Sequence, residues 1–150
     1  MLWRLPNCQY VSLGVNAEDL LCTGYEMAVI LVVDDSKEIR VMLQDILQLE
    51  GHTVLIAENG TLGLGIFKSR TDEIDLLISD IYMPEMDGLE VIRVAKNEKP
   101  ELKIIAMSAG DTKGNLASLG FAGDFGAQHL LTKPFRMPDL LEAVNRLLAD

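Results

Sequence analysis

The chain has 150 residues, of which 49% are hydrophobic and 24% charged, as suits one soluble globular domain with a full core. Thirteen Lys and Arg against 23 Asp and Glu give a net charge of −10, and the sequence pI is about 4.6. That balance excludes unassisted binding to DNA or to an anionic membrane, because phosphate contacts need clustered Lys and Arg and the chain has no basic run. No apolar run is long enough to span a bilayer, which excludes membrane insertion as a helix.

Residues 1–26 have neither a helical nor a strand period. They carry one Arg and no continuous apolar stretch, unlike a signal peptide. Cys8 and Cys22 lack a metal-type spacing and read as free thiols in a reducing cytosol, so a cytoplasmic location is expected. Two readings of the segment stay open: a loosely ordered extension, or upstream sequence included by too early a start codon. The second is favoured, since Met27 would open a complete domain of 150 − 26 = 124 residues. Nothing remains after the last predicted helix to form a DNA-binding module, so 27–150 is expected to be a stand-alone domain.

From Met27 onward, apolar runs and amphipathic stretches alternate. Residues 28–33 are continuously apolar, as a central parallel strand covered on both faces requires. After Asp35, residues Ile39, Met42, Leu43, Ile46 and Leu47 trace one face of a helix, which Gly51 stops. Asp35 with Glu38 fits a capping box at its start. Residues 53–57 predict the second strand and Asn59-Gly60 a turn. The next helix runs through Phe67 and should be soft, because Gly63 and Gly65 each cost about 1 kcal/mol relative to Ala. Residues 76–79 predict the third strand. Asp87 and Glu90 fit a capping box opening the third helix, so Asp87 reads as an N-cap rather than a ligand.

Residues 103–107 predict the fourth strand. The stretch 110–126 is undecided, with Gly110, Gly114, Gly120, Gly123 and Gly126 weakening any helix. Residues 129–132 predict the fifth strand, and Pro138 suits the first turn of a last helix whose face is Leu140, Leu141, Val144, Leu147 and Leu148. The alternation predicts an α/β domain with a doubly wound, five-stranded parallel sheet in flavodoxin-like order 2-1-3-4-5 and helices on both faces.

Asp34, Asp35, Asp80, Ser108 and Lys133 all follow predicted strands. In the predicted order the first and third strands are neighbours, so the three acids meet at the carboxyl edge of the sheet, where open α/β folds place ligands. Singly, each has an ordinary reading. The paired acids could cap a helix, Asp80 could sit in a turn, Ser108 in a loop, and Lys133 on the surface. Together, three mutually repelling carboxylates call for a cation, and Mg²⁺ takes one or two carboxylates plus waters and phosphate oxygens. Asp80, at the bottom of the groove, is the best-placed nucleophile, and an aspartyl phosphate is a known covalent solution for a carboxylate. In-line transfer then needs mainly positioning and charge neutralisation. Lys133 supplies a compact cation for a phosphoryl oxygen, with its backbone set by Pro134, and Ser108 offers a hydroxyl.

VVDD at 32–35, DIYMPEMDG at 80–88, MSA at 107–109 and LTKPF at 131–135 closely resemble the receiver domain of two-component response regulators. The resemblance covers residues 27–150, and four motifs in order are a specific signal. By position it implies that Asp80 is the phosphoacceptor. It implies a Mg²⁺ site of Asp34 (through water), Asp35, Asp80 and the backbone carbonyl of Tyr82. Ser108 would be the switch hydroxyl and Lys133 the lysine facing the phosphoryl group. The implied partners are a sensor histidine kinase or histidine phosphotransfer protein and a downstream protein target.

Two departures stand out. Leu130 occupies a place where such domains often carry Tyr or Phe, so a switch by aromatic rotation is not expected. The stretch between Ser108 and Lys133 is also longer and richer in glycine than usual, and such domains commonly signal through that surface. His129, with no partner in view, reads as structural or solvent-exposed rather than as a pH sensor or relay group.

The expected function is a phosphorylation-controlled binding switch that promotes only its own phosphorylation and dephosphorylation. Two alternatives are a Mg²⁺-dependent phosphatase of the haloacid-dehalogenase type and a constitutive pseudo-receiver module. The first typically needs a second Asp two residues after the nucleophile, where this chain has Tyr82. The intact acids and lysine argue against the second.

Overall fold

The computed structural model describes residues 27–83, 86, 88–109 and 126–149. Among the described residues are five strands: β1 (Val29–Val33), β2 (Thr53–Ala57), β3 (Leu76–Asp80), β4 (Lys103–Ala109) and β5 (His129–Lys133). Four helices accompany them among the same residues: α1 (Lys37–Leu49), α2 (Gly60–Ser69), α3 (Gly88–Glu98) and α4 (Met137–Ala149). All strand pairs are parallel, in the order β2-β1-β3-β4-β5. The chain therefore winds outward from β1 to β2, then crosses back to place β3 on the other side of β1. This is the predicted doubly wound order, and its switch point lies between β1 and β3.

Alternate side chains of the central strands feed two separate cores. Leu31, Val33, Leu77, Ile104 and Ala106 pack with Phe67 of α2 and Val91 and Ile92 of α3. Ile30, Val32, Leu76, Ile78, Ile105 and Met107 pack on the opposite face with Leu43 and Leu47 of α1 and Leu140 and Val144 of α4. Burial on both faces is why β1 reads as an unbroken apolar run rather than an alternating one. Each fully buried Leu or Ile contributes about 1.5–3 kcal/mol.

The helix ends correct the sequence reading in two places. Ser36, not Asp35, is the N-cap of α1: its Oγ accepts from the Ile39 N–H at 3.4 Å and donates to Glu38 at 3.0 Å. The capping role thus moves one residue along, and Asp35 stays outside the helix. Asn59 is likewise an N-cap rather than part of a free turn, accepting from the Leu62 N–H at 2.8 Å, with Gly60 opening α2. At the other end of α1, Gly51 adopts φ +93° while its N–H and that of His52 close on the Gln48 and Leu47 carbonyls. This is a Schellman stop.

The glycines of α2 play different parts. A Cβ at Gly63 would stand 2.7 Å from Val33 Cγ2, so glycine there lets α2 lie close on β1, whereas Gly65 faces open space. The first is a packing requirement and only the second is a plain cost to the helix.

Strands β3, β4 and β5 each run a residue or two beyond their predicted ends. Asp80, Ser108 and Lys133 consequently sit on the ladders themselves, held by hydrogen-bonded strand backbone rather than by loops. Residues 1–26, Asp87 (expected from the sequence to cap the third helix) and the glycine-rich stretch up to residue 125 lie outside the described residues. No helix among the described residues is long and apolar enough to cross a membrane.

Candidate functional site

Asp34 directly follows β1 and is fully buried, which for a carboxylate demands partners for every polar atom. It has them. The N–H donates to the Ala57 carbonyl at 3.2 Å. The carbonyl accepts from Arg40 Nη1 at 2.7 Å, Oδ1 from the Ser36 N–H at 2.8 Å, and Oδ2 from Lys133 Nζ at 2.7 Å. Asp35, next in the chain, is exposed.

Asp80 ends β3 and is 5% exposed. Lys133 Nζ stands 3.3 Å from its Oδ2, and its Oδ1 accepts from the Tyr82 N–H at 3.3 Å. Carboxylate oxygens of Asp34, Asp35 and Asp80 all lie within 4.8 Å of one another. One lysine thus bridges the two buried acids from the neighbouring end of β5, and the third acid stands at the mouth.

The electrostatics follow from that geometry. Burial pushes the Asp80 carboxyl up to about 6; Asp34 adds to the rise, while Lys133 and the Tyr82 N–H oppose it. Lys133 loses some basicity to burial, but its hydrogen bond with Asp34 and the charges of Asp80 and Asp34 outweigh that loss, so its pKa is raised. At neutral pH the site therefore holds an ionised, poorly solvated carboxylate against a firmly charged ammonium. A carboxylate short of water is a better nucleophile than one in solution, and an ammonium beside it can meet an anionic oxygen brought to the site.

Ser108 is fully buried on β4, immediately after Met107, the register partner of Asp80, and beside Thr132 of β5. All five residues singled out from the sequence are thereby brought to one edge of the sheet. The acids suit Mg²⁺ by their chemistry: hard carboxylate oxygens, close together, with the Lys133 ammonium set against Asp34 and Asp80.

Gly88 was not foreseen as part of the site. A Cβ there would fall 1.8 Å from the Asp80 carbonyl oxygen, and its N–H donates to the Ile81 carbonyl at 2.8 Å. The start of α3 presses directly on the backbone of Asp80, and only glycine permits that approach. Arg40 was missed as well, because an arginine six residues after an acid on a helix reads as an exposed charge. His52 is a third omission. It is buried, and its Nδ1 accepts from the Ala28 N–H at 3.1 Å at the opposite end of β1.

Leu130 is partly buried against the α2–α3 core, opposite Ala106 in register. His129 does have a partner: Arg146 Nη2 lies 2.7 Å from its Nδ1. It opens β5 whereas Lys133 closes that strand, so the length of β5 separates it from the acids and a relay through it has no geometric basis.

A doubly wound α/β domain with three acids and a lysine gathered at its switch point is the class that fold and site define. Residues 30–145 match the response regulator receiver domain family, and the chain belongs to it. It is 38% identical over 120 residues to the response regulator MprA of Mycobacterium ulcerans, an alignment covering 79% of this chain and 49% of that protein. The chain thus spans about half the length of the curated relatives it matches. Among solved structures, a response regulator receiver domain protein from Clostridium thermocellum superposes with a TM-score of 0.76 at 32% identity, covering 82% of this chain and 95% of that one. The chemotaxis protein CheY4 of Vibrio cholerae superposes with a TM-score of 0.71 at 29% identity, covering 81% and 98%. The family is a signalling domain rather than a conventional enzyme. Neither the dehalogenase-type nor the pseudo-receiver alternative draws support from these likenesses.

Proposed function

We propose that the domain accepts a phosphoryl group on Asp80 from a phosphohistidine of a sensor kinase or phosphotransfer protein, and thereby changes its affinity for a protein target. The observation that carries this reading is the placement of Asp80: an acid at a strand end, 5% exposed, with Lys133 Nζ at 3.3 Å and two further carboxylates alongside. An Asp80 Oδ atom attacks phosphorus, the phosphorus–nitrogen bond of the donor breaks, and an acyl phosphate forms. Lys133 meets one phosphoryl oxygen, and Ser108 supplies a hydroxyl on the adjacent strand. Asp35 and Asp80, with Asp34 through water and the Tyr82 carbonyl, are the residues that would hold Mg²⁺. Bound there, the ion supplies positive charge to the phosphoryl oxygens.

Output follows from charge. The phosphoryl group carries about −1.5 to −2 charge in place of the carboxylate's −1, so phosphorylation adds up to about one negative charge, and strong acceptor oxygens, beside Ser108 and Lys133. Leu130 offers no ring to turn inward, so the response is carried by the chain after β4. We place the domain in the cytoplasm with its kinase and assign it no direct contact with DNA.

Incubation with acetyl phosphate and Mg²⁺ should add one alkali-labile phosphoryl group, and Asp80→Asn, which keeps the shape and removes the nucleophile, should abolish it. Labelling that persists in the variant at another residue refutes the assignment.

A further inference from the structure

Asp34 and Asp35 are consecutive, yet one is wholly enclosed and the other open to solvent. The peptide joining them decides where the Asp35 carboxylate points, because the carbonyl of Asp34 and the N–H of Asp35 belong to one rigid plane. Fixing that carbonyl fixes the plane. The group that fixes it is the guanidinium of Arg40, whose Nη1 donates to the Asp34 carbonyl at 2.7 Å from a partly buried position on α1.

The rest of the turn is held at other points. The Asp34 N–H is anchored to Ala57, its Oδ1 to the Ser36 N–H and its Oδ2 to Lys133. None of these bonds constrains the plane between the two acids as directly as the Arg40 bond does. Arg40 is itself well placed to hold it: its own N–H closes on the Ser36 carbonyl at 3.0 Å, so the residue is part of the first turn of α1 and Ser36 caps the same turn. The donor is charged, and charge-assisted hydrogen bonds are roughly twice as strong as neutral ones.

We infer that Arg40 is a positioning residue for the acid pocket. It orients the Asp34–Asp35 peptide so that the Asp35 carboxylate stays within reach of Asp80, and so tunes divalent-cation affinity without touching the cation or the phosphoryl group. This rests on the functional reading above, from which it is separable by experiment. Groups that orient metal ligands typically govern affinity by about 10- to 100-fold.

The test is a Mg²⁺ titration of the full chain by calorimetry, beside a melting curve without metal and phosphorylation by acetyl phosphate at low and saturating Mg²⁺. Arg40→Ala should raise the half-saturating Mg²⁺ concentration about tenfold. Saturating Mg²⁺ should restore labelling of Asp80 to near the wild-type rate, since the nucleophile and Lys133 are intact. Arg40→Lys keeps the charge and a donor, and should recover most of the affinity. Should the alanine variant not fold, Arg40→Gln, neutral and shorter, carries the same expectation.

An Arg40→Ala or Arg40→Gln protein that melts lower but binds Mg²⁺ within twofold of wild type makes the contact purely structural and overturns the inference. A labelling defect that saturating Mg²⁺ does not repair also overturns it. A wild-type chain that neither binds Mg²⁺ nor labels at Asp80 instead overturns the functional reading itself, and this inference falls with it.

Discussion

Asp80 is ionised at a buried position, and the fold bears the cost. Its carboxyl titrates at about 6 against an ordinary value of 3.8, so between those two values the folded chain binds a proton that the unfolded chain has released. Stability must therefore fall as pH rises through that window and stay lower above it. At about 1.4 kcal/mol per unit of pH, the interval corresponds to about 3 kcal/mol. Asp80→Asn removes the titrating charge while keeping the shape and an acceptor for the Tyr82 N–H. That interval already counts the pull of Lys133 and the Tyr82 N–H on the carboxylate, and Lys133 keeps Asp34 at 2.7 Å, so the gain stays at about 3 kcal/mol. Without Mg²⁺ at pH 8, the variant should melt higher than wild type by roughly 5–10 °C. At pH 4, where Asp80 is protonated in the folded chain and about 40% protonated in the unfolded one, the gap should shrink to about 0.5 kcal/mol. Thermal melts of the two proteins across pH 4 to 8 in a chelating buffer read this directly. A gap of constant size across that range, or a variant less stable than wild type at pH 8, refutes the account of Asp80 as a desolvated, repelled carboxylate.

Other consequences are independent of that site or act on it indirectly. Gly65→Ala should stabilise the chain by about 0.5–1 kcal/mol, because a Cβ there meets open space and helical glycine is costly. Gly63→Ala should destabilise it by about 1–3 kcal/mol through the clash with Val33; denaturant melts returning the same sign for both would contradict the packing of α2 on β1. His52 is held neutral by burial and by accepting the Ala28 N–H, so its pKa is lowered and the unfolded chain binds the proton more readily. Stability should therefore decline as pH falls below about 6.5, and His52→Gln should flatten that part of the profile; an unchanged acid limb would remove His52 from the account. A chain beginning at Met27 should fold cooperatively and accept phosphoryl as the full chain does, and loss of either property would make residues 1–26 part of the working domain.

Much of this molecule was legible before any coordinates. The strands announce themselves because a parallel sheet covered on both faces needs unbroken apolar runs, and α1 and α4 because their apolar residues recur on one face. Asp34, Asp35, Asp80, Ser108 and Lys133 could be picked out because each follows such a run, and a doubly wound order brings those run-ends together. What sequence could not decide was every matter that depends on distance between elements far apart in the chain. Whether Asp35 or Ser36 caps α1 turns on which side chain faces the helix and which faces Asp80. Whether Gly63 is a weakness or a requirement depends on how near Val33 lies, and Gly88 on how tightly α3 meets β3. Arg40 and His52 look like an exposed cation and an ordinary polar residue until the backbone atoms they bind are known. Periodicity and strand-end position are properties of local sequence, so the elements and the chemistry of the pocket are written there. The partners that hold each acid in place are set by packing between elements, and only the tertiary structure decides them.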